Sequence, residues 1–211
     1  MAGNCININT ASNSVSNQSG DEYISLIQTN TNVWVTSPRI TSSVALQGVQ
    51  NLTNQYRFTP LVVNKKCAIQ TIAIHQAIAG GISGRIKVAV YTDNGNLEPD
   101  QLIQDAGDIG TEALTGYLQL SNLNIDLPNS GLYWIAIQGN ATSGSISGVA
   151  NNAALGLSVL SDINLPVILG VNPTTFLFKS NGGVFDPYPN NWTISLSKTT
   201  SNTHVVFIQL I

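Results

Sequence analysis

The segment from Arg85 to Tyr91 shows the clearest pattern in the chain, an alternation of strongly apolar side chains with other side chains. Ile86, Val88 and Val90 fall on one side of this segment, and the residues between them fall on the other. Successive side chains of a pleated strand point to opposite faces, so a period of two places one set in a core and the other nearer to water. The pattern therefore predicts a β-strand with one buried face.

Three further segments carry a strand signal, and short turn motifs separate them. Residues 71–74, 132–137 and 205–211 are rich in the β-branched and aromatic residues that favour strands. Asn94-Gly95 follows the alternating strand and predicts a type I′ hairpin turn, because both residues tolerate positive φ. Pro128-Asn-Ser-Gly is a turn cluster before residues 132–137. We predict an all-β protein, an antiparallel β-sandwich that is jelly-roll-like and has an extended N-terminal arm.

The sequence divides into an arm and a body. Residues 1–50 are predicted to form an N-terminal arm with short strands that serves docking and assembly, and residues 51–211 to form the β-sandwich domain. Residues 1–20 are rich in Asn and Ser and too polar to bury a core, so we expect partners to order them. Residues 139–156 are expected to be a long loop or a weak strand pair, and residues 152–160 can form one short helix.

Charged residues make up only 9% of the chain, against about 25% in typical proteins. Asn, Ser, Thr and Gln supply the polar surface instead, which suits a surface packed against many neighbours, as in a shell or fibre. The net charge of -3 and a pI of 5.1 leave no basic face for nucleic acid or anionic lipid. No apolar run approaches the roughly 18 residues of a membrane span. We therefore expect no nucleic-acid partner and no membrane insertion.

The number and spacing of the cysteines indicate the compartment in which the protein is made. Cys5 and Cys67 are the two cysteines, too few for a disulfide framework and without a metal-binding spacing. Residues 1–5 have neither the basic region nor the apolar region of a secretory signal. We expect two reduced thiols in a protein made in a cytoplasm.

The chain carries no motif of a known catalytic or cofactor site. It lacks the Gly-x-Ser-x-Gly elbow of hydrolases, a phosphate-binding glycine loop and a His-Glu-x-x-His helix. His75 and His204 lie in different predicted strands, with no second ligand at metal spacing. We expect no enzymatic activity, no cofactor and no metal. One alternative stays open, because the carboxylates between Asp93 and Asp108 fit either a solvated hairpin and loop or a Ca²⁺ site.

Large aromatic residues are the remaining candidates for binding, because sugar rings stack on flat aromatic faces. Trp34, Tyr188 and Trp192 lie in segments where their rings could face outward. A large aromatic more often anchors a core or an interface. We take these three as candidate ligand-binding residues, with packing or a subunit contact as the alternative for Trp192. Trp134 lies inside a strongly apolar strand and is expected in the core.

The block from about Tyr56 to Ile137 resembles the β-sandwich domain of bacteriophage tail and fibre proteins. In that family a strand of the form Arg-x-x-x-x-x-Tyr-x-Asp leads into a Gly/Pro turn, a leucine pair, an Asp-x-Gly step and a Gly-Leu-Tyr-Trp strand. The matching residues here are Arg85, Tyr91, Asp93, Gly95, Pro99, Leu102-Ile103, Asp105-Ala-Gly107 and Gly131-Leu-Tyr-Trp134. Asp100 stands where the family has Gly after the turn proline. The match covers about two-fifths of the chain, and its motifs are turns and core aromatics.

The resemblance implies a virion structural protein, fibre-like or tail-associated, that projects from a phage particle and contacts the host surface. Fibre proteins are commonly homotrimers, so we expect a homotrimer whose N-terminal arm binds other virion proteins. A host-surface glycan is a further expected partner. Two alternatives stay open, a capsid decoration or cement protein and a carbohydrate-binding module.

Overall fold

The structure is a computed structural model that describes residues 33–37, 39–40, 47–51, 55–96, 98–140, 142–149, 154–155, 177–180, 188–192, 197–199 and 203–211. These residues contain no helix and form 16 strands. In chain order the strands are β1 (Val33–Ser37), β2 (Arg39–Ile40), β3 (Gln47–Asn51), β4 (Tyr56–Val63), β5 (Cys67–Ile78), β6 (Arg85–Asp93), β7 (Pro99–Gly110), β8 (Gly116–Leu120), β9 (Ile125–Leu127), β10 (Gly131–Gly139), β11 (Ser145–Val149), β12 (Ala154–Leu155), β13 (Leu177–Ser180), β14 (Ser197–Thr199), β15 (Thr203–His204) and β16 (Val206–Leu210).

Two large sheets contain most of these strands. The eight-stranded sheet runs in the order β1-β16-β5-β11-β15, with β3 paired to β11 and with β8 and β9 both paired to β5. The six-stranded sheet runs in the order β14-β13-β4-β10-β6-β7, and β2 pairs with β12 separately. Every pairing between these strands is antiparallel. The all-β, antiparallel prediction is confirmed.

The chain enters the eight-stranded sheet before the predicted arm boundary at residue 50. β1 pairs with β16 over its full length, and β3 pairs with β11. The alternation within β1 explains its place, since Val35 packs against the main core while Trp34 stays on the surface. These two strands of the predicted arm are therefore part of the sheet. The expectation for residues 1–20 lies outside the described residues.

The segments that carry a strand signal all lie in strands. The alternating segment forms β6, and residues 71–74, 132–137 and 205–211 lie largely in β5, β10 and β16. The region at 139–156 contains β11, which pairs with β3, β5 and β15 and is more than the expected loop or weak pair. The short helix predicted within residues 152–160 is wrong at Ala154 and Leu155, which form β12.

The connection between β6 and β7 is a hairpin, but not the predicted type I′ turn. Gly95 has a φ of 85°, whereas Asn94 does not have the second positive φ that this turn requires. The Asn94 N–H donates to the Glu98 carbonyl oxygen at 2.9 Å, which closes a longer loop. Within it, the carboxylate of Asp93 accepts from the Gly95 N–H at 2.8 Å. Side chains of Asp and Asn therefore stabilise the loop by bonding to the backbone two residues ahead.

The main hydrophobic core draws residues from both large sheets. The six-stranded sheet contributes Leu61, Val63, Ile86, Val88, Val90, Ile109, Tyr133, Ile135 and Ile137. The eight-stranded sheet contributes Cys67, Ile69, Ile72, Ile74, Ile125, Leu127, Ile146, Val206, Ile208 and Leu210. Full burial of one such aliphatic side chain contributes about 1.5–3 kcal/mol. The face of each sheet that points away from this core is therefore the one that remains for other contacts.

His204 in β15 is a fully buried histidine, and neither of its ring nitrogens has a hydrogen-bond partner within the described structure. Desolvation by burial, followed by the charge of the nearby Arg57 guanidinium, holds the pKa of His204 well below its ordinary value of 6.5. The imidazole is therefore neutral in the folded protein near neutral pH.

We predict that the protein loses stability through His204 as the solution is acidified. Below about pH 6.5 the unfolded chain takes up a proton on this residue and the folded chain does not, so the free energy of unfolding falls by about 1 kcal/mol between about pH 7 and about pH 5.5. Urea unfolding at a series of pH values measures this slope. His204→Leu should remove this slope. An unchanged slope in His204→Leu contradicts the assignment.

Candidate ligand-binding face

One face of the eight-stranded sheet points away from the main core, and aromatic side chains are concentrated on it. β1, β16, β5 and β8 lie side by side in this part of the sheet. On each strand alternate residues pack into the core, so the residues between them project from the opposite face. We call the following nine residues the aromatic face: Trp34, Thr36, Thr71, Ala73, His75, Tyr117, Gln119, Phe207 and Gln209.

Tyr117 contacts two other rings of the aromatic face. Tyr117 lies opposite His75 in the pairing of β5 with β8, and their ring centroids are 4.9 Å apart. Phe207 approaches Tyr117 with a centroid distance of 5.3 Å. Both contacts are edge-to-face, with interplanar angles of 71° and 76°, which is a favourable arrangement of aromatic quadrupoles. Tyr117 is held by these contacts and still has 65% of its surface exposed.

Trp34 provides a second open ring on the same face. It lies opposite Gln209 in the pairing of β1 with β16, and 48% of its surface is exposed. Phe207 lies opposite Thr36 and is therefore the diagonal neighbour of Trp34. Leaving two large rings in water on regular strands forgoes the stabilisation that their burial would give. Such exposed aromatic groups on one face indicate a contact surface.

Hydrogen-bonding groups lie between the rings. Thr71 Oγ1 donates to Gln209 Oε1 at 2.9 Å, which fixes this amide and leaves its NH₂ group as a donor for another molecule. His75 Nδ1 lies 2.9 Å from the Ser147 hydroxyl, which leaves the second ring nitrogen of this histidine for another contact. Gln119 is exposed. The aromatic face therefore combines open rings with oriented amide and imidazole groups.

This combination suits a ligand that has an apolar C–H surface and many hydroxyl groups. A pyranose ring has both, because its C–H side can pack on a flat aromatic ring while its hydroxyls exchange hydrogen bonds with amides and hydroxyls. The nine residues of the face include no carboxylate and no ammonium or guanidinium group. The groups on this face can bind a sugar by stacking and by hydrogen bonds.

Tyr188 and Trp192, the other two candidate ligand-binding residues, are buried on the outer face of the six-stranded sheet. They belong to a second cluster that consists of Tyr56, Phe58, Ala89, Tyr91, Trp134, Ala136, Tyr188 and Trp192. The ring centroid of Trp192 lies 4.7 Å from that of Phe58 and 5.0 Å from that of Tyr56. The Tyr188 ring therefore does not face outward, and for Trp192 the structure agrees with the packing alternative. Trp34 is the candidate of the three that stays exposed, and Trp134 is buried as expected.

Residues 188–192 form the cover of this second cluster, and hydrogen bonds hold them against β6 and β7. Four bonds do so: Leu102 N–H to Asn190 O at 2.8 Å, Trp192 N–H to Asp100 O at 2.8 Å, Tyr91 Oη to Pro189 O at 2.8 Å and Tyr188 Oη to Lys87 O at 3.0 Å. Burial raises the pKa of Tyr188 well above its ordinary value, so its hydroxyl keeps its proton and remains a donor. The segment is therefore a structural lid over an aromatic core.

The acidic region between Asp93 and Asp108 stabilises its own hairpin and loop. Asp93 accepts from the Trp134 indole N–H through Oδ1 and from the Gly95 N–H through Oδ2, both at 2.8 Å. Asp105 Oδ1 accepts from the Gly107 N–H at 2.9 Å. Within the described ranges, no group of three or more His, Cys, Asp and Glu residues is placed to hold a metal ion. Hydrogen bonds to the backbone and to the core indole account for the acids at these positions.

Tyr117 and Phe207 are members of the aromatic face that cannot be identified from the sequence alone, although the sequence contains part of the signal. Phe207 lies between Val206 and Ile208, which are in the core, and Tyr117 precedes Leu118 and Leu120, which pack towards the core. Alternation predicts that each ring lies on the face of its own strand that points away from the core. It does not show that β8 and β16 both pair with β5, because those pairings join segments that are far apart in the sequence.

No family model and no curated protein matches this chain. The described residues include no helix with the length and apolar character needed to cross a bilayer. The function is therefore inferred from the aromatic face together with the resemblance of residues 56–137 to phage tail and fibre domains.

Proposed function

We propose that this chain is a structural protein of a bacteriophage particle, without enzymatic activity, whose aromatic face contacts a glycan on the host surface. The aromatic face is the observation that carries the glycan contact, because Trp34 and Tyr117 are open rings on regular strands with amides between them. The resemblance of residues 56–137 to tail and fibre domains supports a fibre-like or tail-associated place in the virion. The low share of charged residues, 9%, supports a surface packed against many neighbours.

The architecture that we propose for the body is a jelly-roll-like β-sandwich. One core takes Val88 and Ile135 from the six-stranded sheet and Ile72 and Ile208 from the eight-stranded sheet, which supports two sheets packed face to face. In this arrangement the aromatic face is an outer surface of the protein.

The assembly that we propose is a homotrimer whose N-terminal part binds other virion proteins. Closed symmetric assembly protects the edges of β-sheets from uncontrolled pairing. It also presents three aromatic faces to one surface, so contacts that are weak singly gain effective concentration when they act together. A modest affinity per face is therefore sufficient for host attachment.

We predict that the purified protein binds bacterial surface polysaccharides on a glycan array, and that Trp34→Ala and Tyr117→Ala each weaken binding by roughly tenfold, which corresponds to about 1.4 kcal/mol for the loss of a stacking ring. Leu114→Ala is the matched control, because Leu114 is 50% exposed and lies outside the aromatic face. All three variants should remain folded, since each side chain is substantially exposed. Undiminished binding after removal of both rings contradicts the proposal.

Antibody labelling of purified phage particles tests the virion setting separately. Label on the particles together with glycan binding supports the proposal as a whole. Label without glycan binding favours a capsid decoration or cement protein. Glycan binding without label favours a free carbohydrate-binding module.

A further inference from the structure

We infer that the aromatic face binds an uncharged, extended saccharide chain, which crosses four strands diagonally from Trp34 to Tyr117. The inference rests on the proposed glycan contact and adds the class of glycan and its path over the sheet. Three observations support it: the register of the strands, the position of the rings and the absence of charged side chains on the face.

Strand pairing fixes the separation of the two exposed rings. Trp34 lies opposite Gln209, and Gln209 lies opposite Thr71. Tyr117 lies opposite His75, which follows Thr71 by four residues on the same strand. The step from β1 to β8 is three strand spacings of about 4.8 Å, and four residues extend about 13 Å, so the two rings stand on backbone positions about 20 Å apart. A monosaccharide cannot reach both rings, whereas an oligosaccharide can.

The interval between the two rings is occupied by groups that suit a sugar chain. Phe207 lies one strand and one row of side chains from Trp34, on the diagonal that leads to Tyr117. Gln209 and Gln119 lie along one side of this diagonal, since Gln119 is opposite Ala73 and Ala73 is opposite Phe207. A chain on this path therefore passes over a third ring and two amides before it reaches Tyr117.

The charge of the surface selects against acidic saccharides. None of the nine residues of the aromatic face is Asp, Glu, Lys or Arg. Asp126, which is exposed and pairs with Ala68, projects on the same side of the sheet from β9, which lies across β5 from β1 and β16 and off the diagonal. An anionic polysaccharide on this path would find no lysine or arginine among the nine residues to pair with its charges. The matching ligand is therefore a neutral chain.

A homologous series of oligosaccharides tests the inference. The probes are oligomers of glucose, galactose, mannose and N-acetylglucosamine, from monosaccharide to octasaccharide, with oligogalacturonic and oligosialic acids as anionic counterparts. We expect the affinity for at least one neutral series to rise by roughly tenfold or more with chain length and then to level off once the chain spans both rings. Binding should be the same at low and at high salt, because no ion pair contributes.

Two variants locate the ends of the path. Trp34→Ala should abolish most of the gain with chain length and leave the binding of short oligomers at the Phe207–Tyr117 end. Tyr117→Ala should weaken short and long oligomers alike, and Asp126→Asn should leave the neutral series unchanged. A preference for the anionic series, or a ring-dependent affinity that does not grow with chain length, overturns the inference and leaves the proposed glycan contact intact. No binding to any series overturns both.

Discussion

Trp192→Ala is expected to lower the free energy of unfolding by about 3–5 kcal/mol, as for other large aromatics removed from a core. The indole ring is packed edge-to-face against Phe58, Tyr56 and Tyr91, with centroid distances of 4.7, 5.0 and 6.0 Å. Its deletion leaves a cavity among rings that are held by the strands beneath them. It also weakens the attachment of residues 188–192 to β7, because the backbone of Trp192 is bonded to Asp100 there.

Trp34→Ala is the matched control for this prediction. Trp34 is half exposed, so its loss should change the free energy of unfolding by no more than about 1 kcal/mol. Urea unfolding followed by tryptophan fluorescence and by circular dichroism measures both variants, with Trp192→Phe as the variant that retains an aromatic ring. Glycan binding should show the opposite pattern, with Trp34→Ala impaired and Trp192→Ala intact at a temperature where it is folded. Equal stabilities of Trp192→Ala and Trp34→Ala would contradict the assignment of Trp192 to a core.

The sequence predicts β6 because its strongly apolar side chains share one face, although the structure also buries Ala89 and Tyr91 of the other face in the second cluster. Ile86, Val88 and Val90 of β6 all enter the main core, so a period of two is visible over residues 85–91. The same local pattern accounts for Trp34 in β1, whose neighbour Val35 packs inward. Alternation is a property of a single strand, and it can be recognised without knowing which strand is its partner.

The second cluster could not be assigned from the sequence, because its cover comes from a distant segment. Residues 188–192 contain Pro and Asn and have the composition of a loop, and their burial depends on contacts with β6 and β7. One signal was available nonetheless. Residues 132–137 are apolar without interruption, which is typical of a strand buried on both faces. In β10, Tyr133 and Ile135 enter the main core while Trp134 enters the second cluster, so an uninterrupted apolar strand indicated a cover over the outer face.

The candidate site, too, could be predicted only in part, because its strands come from segments that are far apart in the sequence. Trp34 was identifiable as a surface aromatic, but a single ring does not define a binding face. The face exists because β16 brings Phe207 between β1 and β5 while β8 brings Tyr117 to the other side of β5. These register relationships follow from the packing of the whole core, so they are not encoded in any one segment.

Gly144→Ala is expected to destabilise the protein by more than about 3 kcal/mol, because two unfavourable effects act at one position. Gly144 has a φ of 74°, a conformation that costs an alanine about 1 kcal/mol. A methyl group there would also collide with the carbonyl oxygen of Ile78 and approach Gln76 Nε2 to 2.6 Å. Gln76 is buried and donates to the Ser143 carbonyl oxygen at 2.9 Å, so it cannot move aside without breaking that bond.

Gly95→Ala isolates the conformational part of this effect. Gly95 has a similar φ of 85°, and a methyl group added there would meet nothing within 4 Å. Its substitution should therefore lower the free energy of unfolding by only about 1 kcal/mol. Urea unfolding of both variants gives the difference between their losses of stability. This difference measures the steric collision of the added methyl group with the end of β5. Similar losses for the two variants would mean that the backbone around Ile78 yields to the added methyl group, and that the close approach of Gly144 to β5 is not a fixed feature of the fold.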